Sequence, residues 1–215
     1  MAMDKQPSRR DAPYVKGETA LLFVDVQEIF CRPGLDPSHP EMGADHYYFR
    51  RLSETVIPNQ VALLAAARAS QVPVLHTIIE ALTRDGRDIS LDHRLSKLFV
   101  PKGLPEGQPI RELAPIENEI VLPKSSSGVF NSTAIDYVLR NMGIRHLIIA
   151  GVVTDQCVDM AVRDAADRGY LVSLPGDASA TYTQERHDTA LKAFGGYCWI
   201  TDTATVVARL RALGL

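Results

Sequence analysis

The segment Thr19-Ala-Leu-Leu-Phe-Val-Asp-Val-Gln27 is an almost unbroken apolar run ended by a carboxylate and an amide. A strand with one wet face alternates apolar and polar residues. A run without alternation needs cover on both faces, as strands of a parallel sheet have in α/β proteins. Comparable runs recur at 72–79, 119–123, 146–150, 170–174 and 196–200. Between them the apolar period becomes helical. Val61, Leu64, Ala65 and Arg68 share a face, with Pro58 near the first turn. Ile135, Val138, Leu139 and Met142 share another, closed by Gly143. A helix over 154–168 carries Val158, Ala161, Val162, Ala165 and Ala166 on one side and stops at Gly169. Further helices are predicted over 184–194 and 203–213. About six strands alternating with five or more helices predict a doubly wound α/β fold.

A length of 215 residues suits one domain with excursions. We read 1–15 as an N-terminal extension and 16–215 as the domain. The break in rhythm is 80–118, polar, rich in Pro and Gly and dense in charge from Arg84 to Lys97. A loop that long in a compact domain serves as a lid, a binding surface or an oligomer contact, or is a solvated excursion with one short helix around 92–99. A net charge of −3 without a basic block argues against nucleic acid and anionic membranes as partners. No stretch approaches the ~20 apolar residues of a membrane span, and the N-terminal segment does not read as a secretory signal. Three cysteines without C-x-x-C spacing suggest neither a disulfide framework nor a zinc ribbon, and a reduced, cytoplasmic setting is expected.

Open α/β sheets bind ligands beyond the carboxyl ends of their strands. That rule selects Asp25-Val-Gln27, 76–80, 124–128 and 151–157. Neither a dinucleotide fingerprint nor a P-loop is present, which removes the main support for nucleotide binding. Thr154 is a natural N-cap, which puts Cys157 in the first helical turn. There its amide lacks an intrahelical partner and the helix dipole favours thiolate. The plainer reading is a small core cysteine. Cys198, beside Trp199, reads as core, and Cys31 fits either role. Asp25 at the end of a buried strand needs a partner or a task. Lys124 also follows an apolar strand. Three strand ends thus deliver an acid, a cation and a thiol towards one crevice, a set suited to nucleophilic catalysis.

The segments Leu21-Leu-Phe-Val-Asp-Val-Gln27, Lys124-Ser-Ser-Ser-Gly-Val-Phe-Asn131 and Gly151-Val-Val-Thr-Asp-Gln-Cys-Val158 closely resemble the isochorismatase-like cysteine hydrolases. So does Arg163-Asp-Ala-Ala-Asp-Arg-Gly-Tyr170, and the resemblance runs from about Lys16 to Leu213. It implies a six-stranded, mainly parallel sheet with helices on both faces, and a catalytic triad falling on Asp25, Lys124 and Cys157. It also implies a cis peptide between Val152 and Val153, with the amides of Val153 and Cys157 as oxyanion hole. In that scheme Asp25 takes the thiol proton, Cys157 attacks a carbonyl, and water hydrolyses the thioester.

Departures narrow the expected chemistry. Isochorismatases proper cleave a vinyl ether without a cysteine at this place, so Cys157 points to C–N cleavage. Nicotinamidases add metal ligands near the second strand, and Leu75-His-Thr-Ile-Ile-Glu-Ala-Leu-Thr-Arg84 lacks their His-x-x-His pair. The expectation is therefore a hydrolase needing no metal and no cofactor. It resembles the ureidoacrylate, N-carbamoylsarcosine and maleamate amidohydrolases, which release ammonia from a small amide or ureido substrate. Vinyl-ether hydrolysis, nicotinamide hydrolysis and a non-catalytic binding role are the alternatives. Gln27 and Asn131 are candidates to hydrogen-bond substrate, Phe30 to wall it, and Glu80 and Tyr182 to line the pocket. Tyr182 also sits in a stretch where Thr181 and Gln184 fit a capping box. His76, between apolar neighbours, reads as a satisfied core histidine. The family is commonly dimeric or tetrameric, so a homodimer or homotetramer is expected.

Overall fold

The computed structural model describes residues 9–214. The chain runs β1 (Thr19–Val24), α1 (Glu28–Cys31), α2 (Tyr47–Arg51), a π-helical turn over Leu52–Val56, α3 (Ile57–Ala69) and β2 (Val74–Ile79). It continues through α4 (Leu91–Leu95), β3 (Ile120–Lys124), α5 (Val129–Ser132), α6 (Ile135–Asn141), β4 (His146–Val152) and α7 (Cys157–Asp167). It closes with β5 (Leu171–Pro175), β6 (Ser179–Ala180), α8 (Gln184–Ala193), β7 (Trp199–Thr201) and α9 (Thr203–Leu213).

The sheet order is β3-β2-β1-β4-β5-β7, and every pairing is parallel. The chain leaves β1 in one direction for β2 and β3, then returns to the other side of β1 with β4. The crevice between the carboxyl ends of β1 and β4 is therefore the topological switch point. The unalternated runs are explained by position. β1 and β4 lie in the middle and are buried along their whole length, whereas the edge strands β3 and β7 are only partly covered. The residues of β1 divide between two cores. Leu21 and Phe23 pack with Leu63 and Leu64 of α3 and Val206 and Leu210 of α9. Ala20, Leu22 and Val24 pack with Ile135 and Leu139 of α6 and Val158, Ala161 and Val162 of α7.

The doubly wound α/β class holds, with a seventh strand in place of the six expected. The addition is the two-residue β6, which pairs with Gly151 and Val152 where β5 has already left β4. The buried face of α3 also differs from the expected one. Ile57, Gln60, Leu63, Leu64 and Ala67 face inward while Val61 is 39% exposed, because α3 is covered by both the sheet and α9. Gly143 and Gly169 end their helices at φ +73° and +92°, left-handed values that favour glycine.

Of the expected N-terminal extension, residues 1–8 lie outside the described residues. The following stretch is packed: Tyr14 is buried, and Arg209 of α9 donates to the carbonyls of Asp11 and Ala12. The 80–118 excursion contains α4 and two 3-10 turns at Pro105–Gly107 and Arg111–Leu113. It is tied back to the end of β1, where Ile110 N–H donates to Val26 O and Glu28 N–H to Gln108 O. Among the described residues no helix is long and apolar enough to cross a membrane.

Candidate active site

The cleft at the switch point has a volume of about 800 Å³, and Asp25 and Cys157 both line it. Asp25 follows β1 with φ +56°, a left-handed turn that aspartate tolerates better than most residues. Its Oδ1 accepts a hydrogen bond from Thr77 Oγ1 at 2.9 Å, and its Oδ2 lies 2.9 Å from Lys124 Nζ. Lys124, the last residue of β3, is wholly buried. Its ammonium also donates to the carbonyls of Ser126 (2.8 Å) and Ser127 (3.0 Å), and it lies 3.6 Å from Cys157 Sγ. One buried cation thus joins the carboxylate to the thiol.

The electrostatics follow from that contact. Burial opposes the charge on Lys124, but Asp25 and Cys157 outweigh it and raise its pKa above the usual lysine value. The Cys157 thiol is pushed up to about 12, first by burial and then by the Asp25 carboxylate, against the lowering pull of Lys124. Burial thus favours the neutral thiol at Cys157. Helix position does not override burial here.

The local backbone corrects one expectation. Thr154 is not the cap of α7: Gln156 holds that place, at φ −133° and ψ −99°, and Cys157 is the first helical residue. Thr154 is used elsewhere, its N–H donating to Ala180 O at 2.8 Å and its Oγ1 meeting His187 Nδ1 at 2.9 Å. Arg51 donates to the other ring nitrogen of His187 at 2.9 Å, so that nitrogen accepts and Nδ1–H donates to Thr154. Burial pushes His187 down to about 4, in keeping with a neutral ring. As the first helical residue, Cys157 has an N–H with no intrahelical acceptor. The Val152–Val153 peptide bond is cis, and both residues line the cleft.

The structure sorts the substrate-facing candidates. Phe30, Asn131 and Tyr182 line the cleft. Gln27 does not: its amide donates to Ile79 O and Gly107 O and accepts from Ile79 N–H, so the side chain staples β2 to the excursion. Glu80 also lies outside, accepting from Gly103 N–H at 2.9 Å. Thr181 does not cap α8; Thr183 does, and Thr181 donates to Asp155 at 2.5 Å. His76 is buried and pushed down to about 4 by desolvation; among the described residues its Nε2 makes no hydrogen bond and lies 3.6 Å from Glu119, so it is a core histidine with that nitrogen unsatisfied. Cys31 and Cys198 are free and buried.

Residues that the sequence did not flag complete the cleft. From the excursion come Ser90, Asp92, His93, Ser96 and Leu98; from the α1–α2 connection come Asp36 and His39, and from α2 comes Tyr48. His93 is held by the Ser90 cap of α4 and reaches Ser127 Oγ at 3.3 Å. Its pKa is lowered by burial and by the Lys124 charge. A capping serine three residues before a histidine is the one sequence signal that fixes its backbone. Among the described residues no group of three or more His, Cys, Asp or Glu is placed to hold a metal ion.

Comparisons with known proteins agree with this architecture. The family model described as the isochorismatase domain matches residues 19–205. The isochorismatase family protein YddQ of Bacillus subtilis (strain 168) is 28% identical over 177 residues, which span 81% of this chain and 84% of that protein. The crystal structure of a cysteine hydrolase from Pseudomonas syringae pv. phaseolicola 1448A is 25% identical with a TM-score of 0.80, covering 94% of this chain and 96% of that one. That of N-carbamoylsarcosine amidase from Thermoplasma acidophilum is 22% identical with a TM-score of 0.68, covering 86% and 96%, a likeness of fold. With a domain match over most of its length and the corresponding fold, the chain belongs to the isochorismatase family.

Proposed function

We propose that the protein is a cysteine hydrolase that cleaves the C–N bond of a small amide or ureido compound through a thioester and releases ammonia. The observation that carries this reading is the buried ammonium of Lys124, 2.9 Å from Asp25 Oδ2 and 3.6 Å from Cys157 Sγ, with Asp25 and Cys157 both lining the cleft. The likeness to the cysteine hydrolase of Pseudomonas syringae supports it.

The chemistry follows from the charges. Asp25 takes the thiol proton, and the cluster keeps its net charge because the negative charge only moves from oxygen to sulfur beside the same ammonium. The thiolate attacks the substrate carbonyl, and the N–H groups of Val153 and Cys157 receive the oxyanion. Asp25 gives its proton to the departing nitrogen, the C–N bond breaks and ammonia leaves. Water then adds to the thioester with Asp25 as base, and collapse returns the acid and the thiol. Because burial and the Asp25 carboxylate hold the thiol neutral, the scheme assigns the proton transfer to the substrate complex.

The test is ammonia release from a panel of amides, carbamoyl and ureido compounds, with nicotinamide and isochorismate included, by the wild type and Cys157→Ala, with and without a chelator. Release that survives chelation and falls by about 10³-fold or more in Cys157→Ala is the expected result. Turnover of isochorismate alone, equal in both proteins, contradicts the reading.

A further inference from the structure

The charge inventory of the cleft is one-sided. Its lining includes the carboxylates of Asp25, Asp36, Asp92, Asp155 and Asp159 and neither a lysine nor an arginine. Three of these acids are already matched: Asp25 by Lys124, Asp155 by Arg186 at 2.6 Å and Asp159 by Arg163 at 2.7 Å. Asp92 is exposed at the start of α4. Asp36 is different. It is only 7% exposed, its Oδ1 accepts from Ser38 N–H and Oγ, and its Oδ2 meets no cation or donor among the described residues.

A mostly buried carboxylate with one oxygen left open to the cleft offers that oxygen to a donor on a ligand. A second group lining the same cleft is also unused. Tyr48 is 2% exposed and lines the same cleft, and its hydroxyl makes no hydrogen bond among the described residues. Its ring lies 5.5 Å from that of Tyr182, whose other neighbours are His39 at 4.5 Å and the Arg186 guanidinium at 5.0 Å. That guanidinium is held by Asp155, so its charge is not free for a ligand. A run of contacts joins the two phenols to the acid: His39 N–H donates to the Asp36 carbonyl, the His39 ring meets Tyr182 and the Tyr182 ring meets Tyr48. An incoming carboxylate would meet Asp36 with no counter-charge. An ammonium would meet an unpaired carboxylate oxygen and a phenol oxygen able to accept its second N–H.

We propose that the cleft selects amides whose far end carries a protonated amine, held by the Asp36 carboxylate and the Tyr48 hydroxyl. The proposal rests on the amidohydrolase reading for its reaction but not for its binding site.

Two measurements separate the claims. Ammonia release is followed with chain-matched series of ω-amino, neutral and ω-carboxy alkanamides on the wild type, Asp36→Asn and Asp36→Glu. Binding of the same compounds to Cys157→Ala is followed by calorimetry, with and without Asp36→Asn. We expect kcat/KM for ω-amino amides to exceed that of their neutral matches by about tenfold or more. The ratio should collapse in Asp36→Asn and recover in part in Asp36→Glu. Preference for neutral or carboxylate amides, or a ratio untouched by Asp36→Asn, overturns the cation site while leaving the amidohydrolase standing. Binding of ω-amino amides that depends on Asp36, without hydrolysis of any amide, upholds the site and overturns the reaction. Neither binding nor hydrolysis overturns both. Should Asp36→Asn fail to fold, the affinity order of the three series on Cys157→Ala decides the site.

Discussion

At the residue scale, the account turns on one carboxylate with two effects. Asp25 raises the Cys157 pKa by its charge and by its contact, while Lys124 lowers it. Asp25→Asn therefore leaves the ammonium beside the sulfur and removes the opposing charge, so the thiol ionises more readily. It also removes the proton carrier. The expected result is faster alkylation of Cys157 at a fixed pH near 8, read by peptide mass mapping, together with turnover reduced by about 10³-fold or more. A merely structural aspartate would lose both together. Asp25 and Lys124 were legible as candidates because each is a charged residue at the end of an apolar run, where burial demands a reason, and Cys157 because it opens a helix, although the cap is Gln156 and not Thr154. Gln27 stands in the same kind of place and misled: its amide mimics a strand's backbone by pairing with both N–H and C=O of Ile79. Nothing in composition separates an amide used that way from one aimed at a ligand. Asp36 and His93 were hidden for the opposite reason, because they sit in polar stretches where charge raises no question.

At the scale of elements, the site depends on how closely β1 and β4 run. Gly151 has φ +143°, and a Cβ there would stand 2.2 Å from Val24 O. That contact is with backbone, which cannot turn away. Gly151→Ala should destabilise the fold by about 3 kcal/mol or more and part the two strand ends that carry Asp25 and Cys157, measurable by chemical denaturation. A loss under about 1 kcal/mol would show that the strands separate freely. The central strands were read correctly because burial on both faces imposes a pattern that few other environments share. The start of α7 was read three residues early. Thr154, the natural cap, is engaged by Ala180 and His187, and the chain makes a non-helical turn before Cys157. β6 was invisible because two residues bonded through backbone leave no side-chain period.

At the scale of the whole molecule, three of the buried imidazoles set an acid limit. His76, His146 and His187 are each pushed down to about 4, first of all by burial. In the unfolded chain they titrate near 6.5, so between these values the unfolded state binds more protons. The stability linked to these groups is whole above about 6.5 and is lost as pH falls towards 4. The thermal midpoint should decline across that window, before paired carboxylates such as Glu119 and Asp136, whose pKa values are lowered, add their own losses. A midpoint constant from pH 7 to pH 4.5 would mean that the rings are charged in the native state.

The central claim is that the sulfur of Cys157 becomes covalently acylated, and the mass of the acid-quenched enzyme during turnover of its best amide tests it most directly. The account predicts a population heavier by the acyl group, mapped to the peptide containing Cys157 and absent in Cys157→Ala. Steady ammonia release with no adduct on that peptide, or with full activity in Cys157→Ala, would contradict it.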